Sequence, residues 1–171
     1  ISVLGTRGSY TFTTSGTAAV NMGTLWLGHT GGTTNNPTGR VINLNGGTLQ
    51  LTNGISYQLG TAVVNLNGGT LRASGSSATF WNNNANVTAT VGASGATVDT
   101  QAYDVTVSQV LGGTGALAKS GSGTLTLSGI AGLPFVAGAN GSATMTVQGT
   151  IADLNAALNG MSYLPTANYN G

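Results

Sequence analysis

The sequence predicts an all-β chain: a parallel β-helix, or solenoid, of about five coils over residues 1–129, then a small β-rich module with one short helix over 130–171. Three observations carry that prediction. Val41–Leu51 (VINLNGGTLQL) returns almost letter for letter as Val63–Ala73 (VVNLNGGTLRA). Looser copies of its second half lie at Gly23–Leu27, Gly95–Asp99 and Gly123–Leu127, so that Thr24, Thr48, Thr70, Thr97 and Thr124 are spaced by 24, 22, 27 and 27 residues. Within each copy the apolar period is two, the period of a strand with one buried face. A unit of this kind hides its apolar side only by stacking on its neighbours.

Composition narrows the classes. Charged residues make up 4% of the 171, against roughly 25% in ordinary soluble domains. There is no Glu; the acids are Asp99, Asp104 and Asp153, and the bases are Arg7, Arg40, Arg72 and Lys119. A net charge of +1 offers no electrostatic footprint for nucleic acid. Cysteine is absent, which removes disulfides and thiolate metal sites. No apolar run reaches the 18 or so residues of a membrane-spanning helix, so none is expected in this segment. The chain opens at Ile1 and reads as a segment of a longer or processed protein.

Taken in order, Ile1–Val20 reads as short strands of a first coil, with alternation at Tyr10–Thr13. Met22–Gly28 supplies a first clear rung, and His29–Arg40, rich in Gly, Asn and Pro, reads as a protruding loop. In the best repeat, Ile42, Leu44, Leu49 and Leu51 point inward and Asn43 and Asn45 outward; Val64, Leu66 and Leu71 are their equivalents. Leu25, Leu49, Leu71, Val98 and Leu125 are expected to form one inward column. Asn45 and Asn67 precede Gly-Gly corners, where positive φ is tolerated, and are expected to stack as an amide ladder. Gly75–Asn86 reads as a loop presenting Phe80 and Trp81, and Tyr103, Val105 and Val107 share one parity. Beyond Gly129 the period becomes helical, with Ile151, Leu154, Leu158 and Met161 on one face and Gly160 as a stop.

Ala116–Gly129 (ALAKSGSGTLTLSG) resembles the autotransporter-associated β-strand repeat, whose pattern is roughly L-x-K-x-G-x-G-T-L-T-L-S-G. The resemblance implies a right-handed parallel β-helix and a secreted or surface-displayed bacterial protein, and it transfers no catalytic residues. The tail, from Gly149-Thr150 through Asn155, Ala157 and Leu158 to Tyr163, Pro165 and Asn168–Gly171, resembles part of a bacterial cadherin-like or immunoglobulin-like surface repeat. That repeat normally closes with one or two further strands.

The chemistry-bearing residues are sparse. His29 lacks a recognisable nucleophile and orienter and reads as a solvated loop residue. Asp99 and Asp104, with Arg72, would line the groove of a degenerate polysaccharide lyase, but such sites need more acids and bases. Asp153 and Asn155 are too few oxygens for calcium, and Asp153 suits the start of the short helix. The threonine column lacks a regular second row (Trp26, Gln50, Arg72, Asp99 and Thr126 follow it), which argues against an ice-binding face. Asn86-Val87-Thr88 and Asn140-Gly141-Ser142 fit the glycosylation sequon, which carries little weight in a bacterial surface protein. No cofactor, no metal and no enzyme activity are expected.

The expected role is structural: a segment of a cell-surface or extracellular-matrix fibre, partnered with copies of itself through Ile1, Val3 and Tyr169. The alternative is an adhesin or carbohydrate-binding stalk whose His29–Arg40 and Phe80–Asn84 loops carry recognition of surface polysaccharide, with Trp26, Phe80 and Trp81 as candidate contact residues.

Overall fold

The computed structural model describes residues 9–28 and 39–127, together with the backbone of Phe135–Val136. Every described element is a strand: β1 (Tyr10–Thr14), β2 (Ala19–Leu27), β3 (Arg40–Leu44), β4 (Thr48–Tyr57), β5 (Ala62–Leu66), β6 (Thr70–Ala73), β7 (Ser77–Trp81), β8 (Val87–Val91), β9 (Ala96–Asp99), β10 (Val105–Val107), β11 (Leu111–Gly113), β12 (Leu117–Ser120), β13 (Leu125–Leu127) and β14 (Phe135–Val136). All pairings are parallel, each to the strand one coil away. The chain is a β-solenoid of about four turns.

Each coil passes through three strand positions. The first sheet runs β1-β3-β5-β8-β11. The other two positions merge into one larger sheet because β2 and β4 cross the corner between them unbroken. The first half of β4 pairs with β6 and its Ile55 with Trp81 of β7. From there β6-β9-β12-β14 continue one position, and β7-β10-β13 the other. β14 thus lies parallel to β12, with Leu117 facing Phe135.

The repeat sequence folds this way because its alternation matches the pleat. In β3 the burial pattern alternates, leaving Arg40, Ile42 and Leu44 inward; β5 repeats it with Ala62, Val64 and Leu66. The registers Ile42 to Val64 to Ala89 and Leu44 to Leu66 to Val91 stack these side chains coil on coil. Each fully buried Leu or Val contributes roughly 1.5–3 kcal/mol relative to exposure. With so few charges, these apolar rows and the ladder hydrogen bonds hold the shaft.

The inward column differs from the one expected. Leu49 faces Leu71, and Leu71 faces Val98. The row then runs to Val20 on one side and Lys119 on the other. Leu25 instead faces Ile55, and Leu125 faces Val105, both in the neighbouring strand position. Gly-Thr marks two different corners: Gly47-Thr48 and Gly69-Thr70 open the second strand position, whereas Thr24 and Thr124 flank the third. A single spacing rule cannot separate the two.

One strand irregularity accommodates large side chains. Four steps along β7, from Ser77 to Trp81, oppose two along β10, from Val105 to Val107. The extra backbone lets two consecutive aromatics turn inward, Phe80 at 0% and Trp81 at 2% exposure. Phe80 and Trp81, expected on a loop, therefore end a core strand, and residues 82–86 of that segment follow it. Directly above it, Gly54 has φ +85° and lies so close to the Phe80 carbonyl that a Cβ would collide with it.

Candidate functional site

The polar residues organise as ladders along the outward faces, each rung built by strand register. In the first sheet Asn65 Nδ2 donates to Asn43 Oδ1 at 2.9 Å, and Asn43 Nδ2 donates to Thr13 Oγ1 at 3.3 Å. The amide ladder is thus formed by Asn43 and Asn65, not by Asn45 and Asn67. The in-strand pair keeps equal height at the strand spacing, whereas at the corner Asn67 is claimed by backbone. Asn67 Oδ1 accepts from the Ser94 N–H at 3.0 Å, and Asn45 is exposed. Positive φ at these corners is taken by Gly46, Gly47 and Gly68. At the next corner, Asn53 Nδ2 donates to Thr24 Oγ1 at 3.3 Å, and the Thr52 and Ser74 hydroxyls bond at 2.9 Å.

The charged groups fall into separate small arrangements. Arg72 Nε lies 2.8 Å from Asp99 Oδ2, at facing rungs of β6 and β9. Asp99 also accepts from the Gln101 backbone N–H at 3.0 Å, and its Oδ2 accepts from Gln101 Nε2 at 2.6 Å. Gln101 sits at φ +53°, so the turn is wound around this carboxylate. Burial pushes the Asp99 carboxyl up, but the Gln101 and Arg72 donors outweigh it and hold it below the ordinary carboxylate range. Asp104 accepts from the Thr124 backbone N–H at 2.7 Å, which lowers its pKa at a fully exposed position. Asp99 and Asp104 thus serve different corners, and neither bonds the other. Lys119 ends its apolar row by donating to the Gly121 carbonyl at 2.8 Å.

A groove of about 470 Å³ lies on the outer face where β7, β10 and β13 stack. Hydroxyls of Ser76, Ser77, Thr106, Thr124 and Thr126 and the Asp104 carboxylate line it, alternating with apolar surface from Ala78, Val105 and the threonine methyls. Among the described residues, no three of His, Cys, Asp and Glu come together, and no helix is long and apolar enough to cross a membrane.

Of the residues expected to meet a partner, Phe80 and Trp81 are buried in the core, which corrects their reading as a recognition platform. Trp26 is half-buried, and its carbonyl accepts from the Tyr10 hydroxyl at 3.5 Å. Ile1, Val3, Tyr169, His29, Asp153, the short helix and residues 29–38 of the expected loop lie outside the described residues.

Sequence reasoning missed four buried polar groups, one of them Thr14, at 2% exposure at the end of β1. Arg40, read as the end of a loop, opens β3 and points into the coil at 1% exposure. Gln109, at 3% exposure, clamps a corner: its Oε1 accepts from Asn84 N–H, and its Nε2 donates to the Val87 carbonyl, each at 3.0 Å. Thr100 Oγ1 stands 3.0 Å from both the Ser120 and Gly123 carbonyl oxygens, donating to one at a time. For Arg40 a signal existed: it falls two residues before Ile42, on the inward parity. Compared with family models, with curated proteins and with solved structures, the chain matches none.

Proposed function

We propose that this chain is a non-enzymatic structural segment of a bacterial cell-surface or extracellular fibre, a β-helical shaft that assembles with copies of itself. The observation that carries the reading is the continuity of the ladder. Three strand positions repeat in parallel register, apolar rows run inside, and neutral amide and hydroxyl rows run outside. Such a unit produces length: each coil adds roughly 4.8 Å, so four coil-to-coil steps span about 19 Å. Its outward ladders keep it hydrated without charge.

The resemblance of Ala116–Gly129 to autotransporter-associated repeats supports a surface location. The tail's likeness to cadherin-like or immunoglobulin-like repeats supports a stalk that continues into further modules. The test is negative-stain imaging of the full chain. Filaments or end-to-end pairs are expected, and uniformly single particles at micromolar concentration would remove the assembly reading.

A second reading, an adhesin for surface polysaccharide, is favoured by the hydroxyl-lined groove around Asp104. A carboxylate with one oxygen held by the Thr124 N–H keeps acceptor capacity for sugar hydroxyls. Glycan binding that Asp104→Ala abolishes, in a chain that stays single, would favour this reading over the fibre.

A further inference from the structure

We infer that Arg40 is a carboxylate-binding residue: the Nε–Nη2 edge of its guanidinium, sealed inside the coil, takes one planar carboxylate side-on. Arg40 belongs to an inward row that runs Tyr10, Arg40, Ala62, Val87 by register. It is 1% exposed. Its Nη1 donates to the Leu59 carbonyl at the corner before β5. Its Nε and Nη2 are both buried, and neither has a hydrogen-bond partner among the described residues. These two N–H groups lie parallel on one edge of a planar cation, the spacing that meets both oxygens of a carboxylate. An arginine does not shed its proton to escape burial, so the charge persists.

The described surroundings supply no counter-charge. Tyr10 stands on the adjacent rung, but burial raises its phenol pKa against the pull of Arg40, so it remains neutral. Ala62, on the other side, contributes only a methyl group. Asp99 is committed to Arg72 and Gln101, and Asp104 to Thr124. The other described cations are engaged too, Arg72 with Asp99 and Lys119 with the Gly121 carbonyl. One guanidinium with one free edge balances a single negative charge, which favours a carboxylate over a phosphate dianion. Two sources share that chemistry: Asp153, the remaining acid of the chain, or a free small carboxylate.

The experiment follows the thermal midpoint of the full chain in sodium acetate against sodium chloride at equal ionic strength. A thermal scan passes through the unfolded chain, so acetate has access to the fork. With a free carboxylate as occupant, acetate raises the wild-type midpoint saturably by about 3 °C, and Arg40→Met loses the rise. With Asp153 as occupant, the wild type ignores acetate, Asp153→Asn lowers the midpoint, and acetate restores it only while Arg40 is present. If Arg40→Met fails to fold, Arg40→Lys, which keeps the charge without the fork, serves instead and should lose most of the response. Absence of an acetate response in both the wild type and Asp153→Asn, or a response that survives loss of the fork, overturns the inference.

Discussion

Asn65 donates to Asn43 across one coil at 2.9 Å, and Asn43 donates onward to Thr13, a three-rung chain of neutral hydrogen bonds on the outer face of the first sheet. Each bond is worth roughly 0.5–1.5 kcal/mol. Asn65→Ala should therefore destabilise by about 1 kcal/mol in denaturant titration, and Asn45→Ala, at an exposed corner, by much less. A double-mutant cycle of Asn43→Ala with Asn65→Ala should show coupling of roughly 0.5 kcal/mol or more. Strict additivity would mean that the amides act separately.

The inward row is more demanding. Leu71, at 1% exposure, is packed between Leu49 and Val98 on the adjacent coils. Leu71→Ala should cost about 2–5 kcal/mol through lost burial and an imperfectly closed cavity. Leu71→Asp should prevent stable folding, because the carboxylate would have no partner in a dry row. Retention of a cooperative melt near the wild-type midpoint by the Asp variant would contradict the row.

These registers show what was legible beforehand. The near-identical pair Val41–Leu51 and Val63–Ala73 disclosed parity and period together, so the burial of Leu44, Leu49, Leu66 and Leu71 followed from the letters. Where copies were loose, the same Gly-Thr signal marked two corners, and Leu25 and Leu125 were assigned to the wrong strand position. Phe80 and Trp81 lay beyond reach because only the extra residues of β7 turn two consecutive side chains inward, a departure from the alternation that sequence reading relies on. The Asn43–Asn65 rung was misplaced to the corner, since both pairs repeat equally well in sequence. The side-chain bonds along the strands and the backbone bond from Ser94 to Asn67 distinguish them.

Backbone approach makes a sharper test at Gly54. Its φ of +85° is costly for any residue with a Cβ, and that Cβ would strike the Phe80 carbonyl on the next coil. Gly54→Ala should destabilise by about 2–3 kcal/mol or more from backbone strain and the collision together. Gly16, also at positive φ but with nothing within 4 Å, should cost less on the same substitution. Equal losses at the two sites would show that packing between coils is not the cause.

Acid sensitivity should trace to Asp99, with a smaller part from the exposed Asp104, whose carboxyl pKa the Thr124 N–H also lowers. The Asp99 carboxyl pKa is lower folded than the ordinary 3.8. A group of this kind stabilises the folded state above its unfolded pKa, and that contribution is lost as pH falls through the folded value. Stability should therefore hold level from neutral pH to about pH 5 and decline below about pH 4. Asp99→Asn should be less stable at neutral pH and show a flatter acid limb. An unchanged acid limb in that variant would place the sensitivity elsewhere.

The last expectation concerns association. Among the described residues, β1 and β2 pair on one side only, with β3 and β4, as do β11 and β13 at the opposite end. Such strands expose unpaired N–H and C=O groups, a template for another chain unless charge or a cap intervenes. With 4% charged residues, electrostatic repulsion between copies is weak. Thr11 on β1 and Asn21 on β2 are exposed outward positions of the outermost strands. Replacing both with Lys would raise the net charge from +1 to +3, since each substitution adds one. If association runs through this edge, light scattering should show larger species in the wild type as concentration rises, and the double variant should shift them toward the monomer. Higher salt should partly restore them by screening the added charges. A wild type that stays monomeric throughout, or a variant that associates just as well, would rule out stacking through β1 and β2.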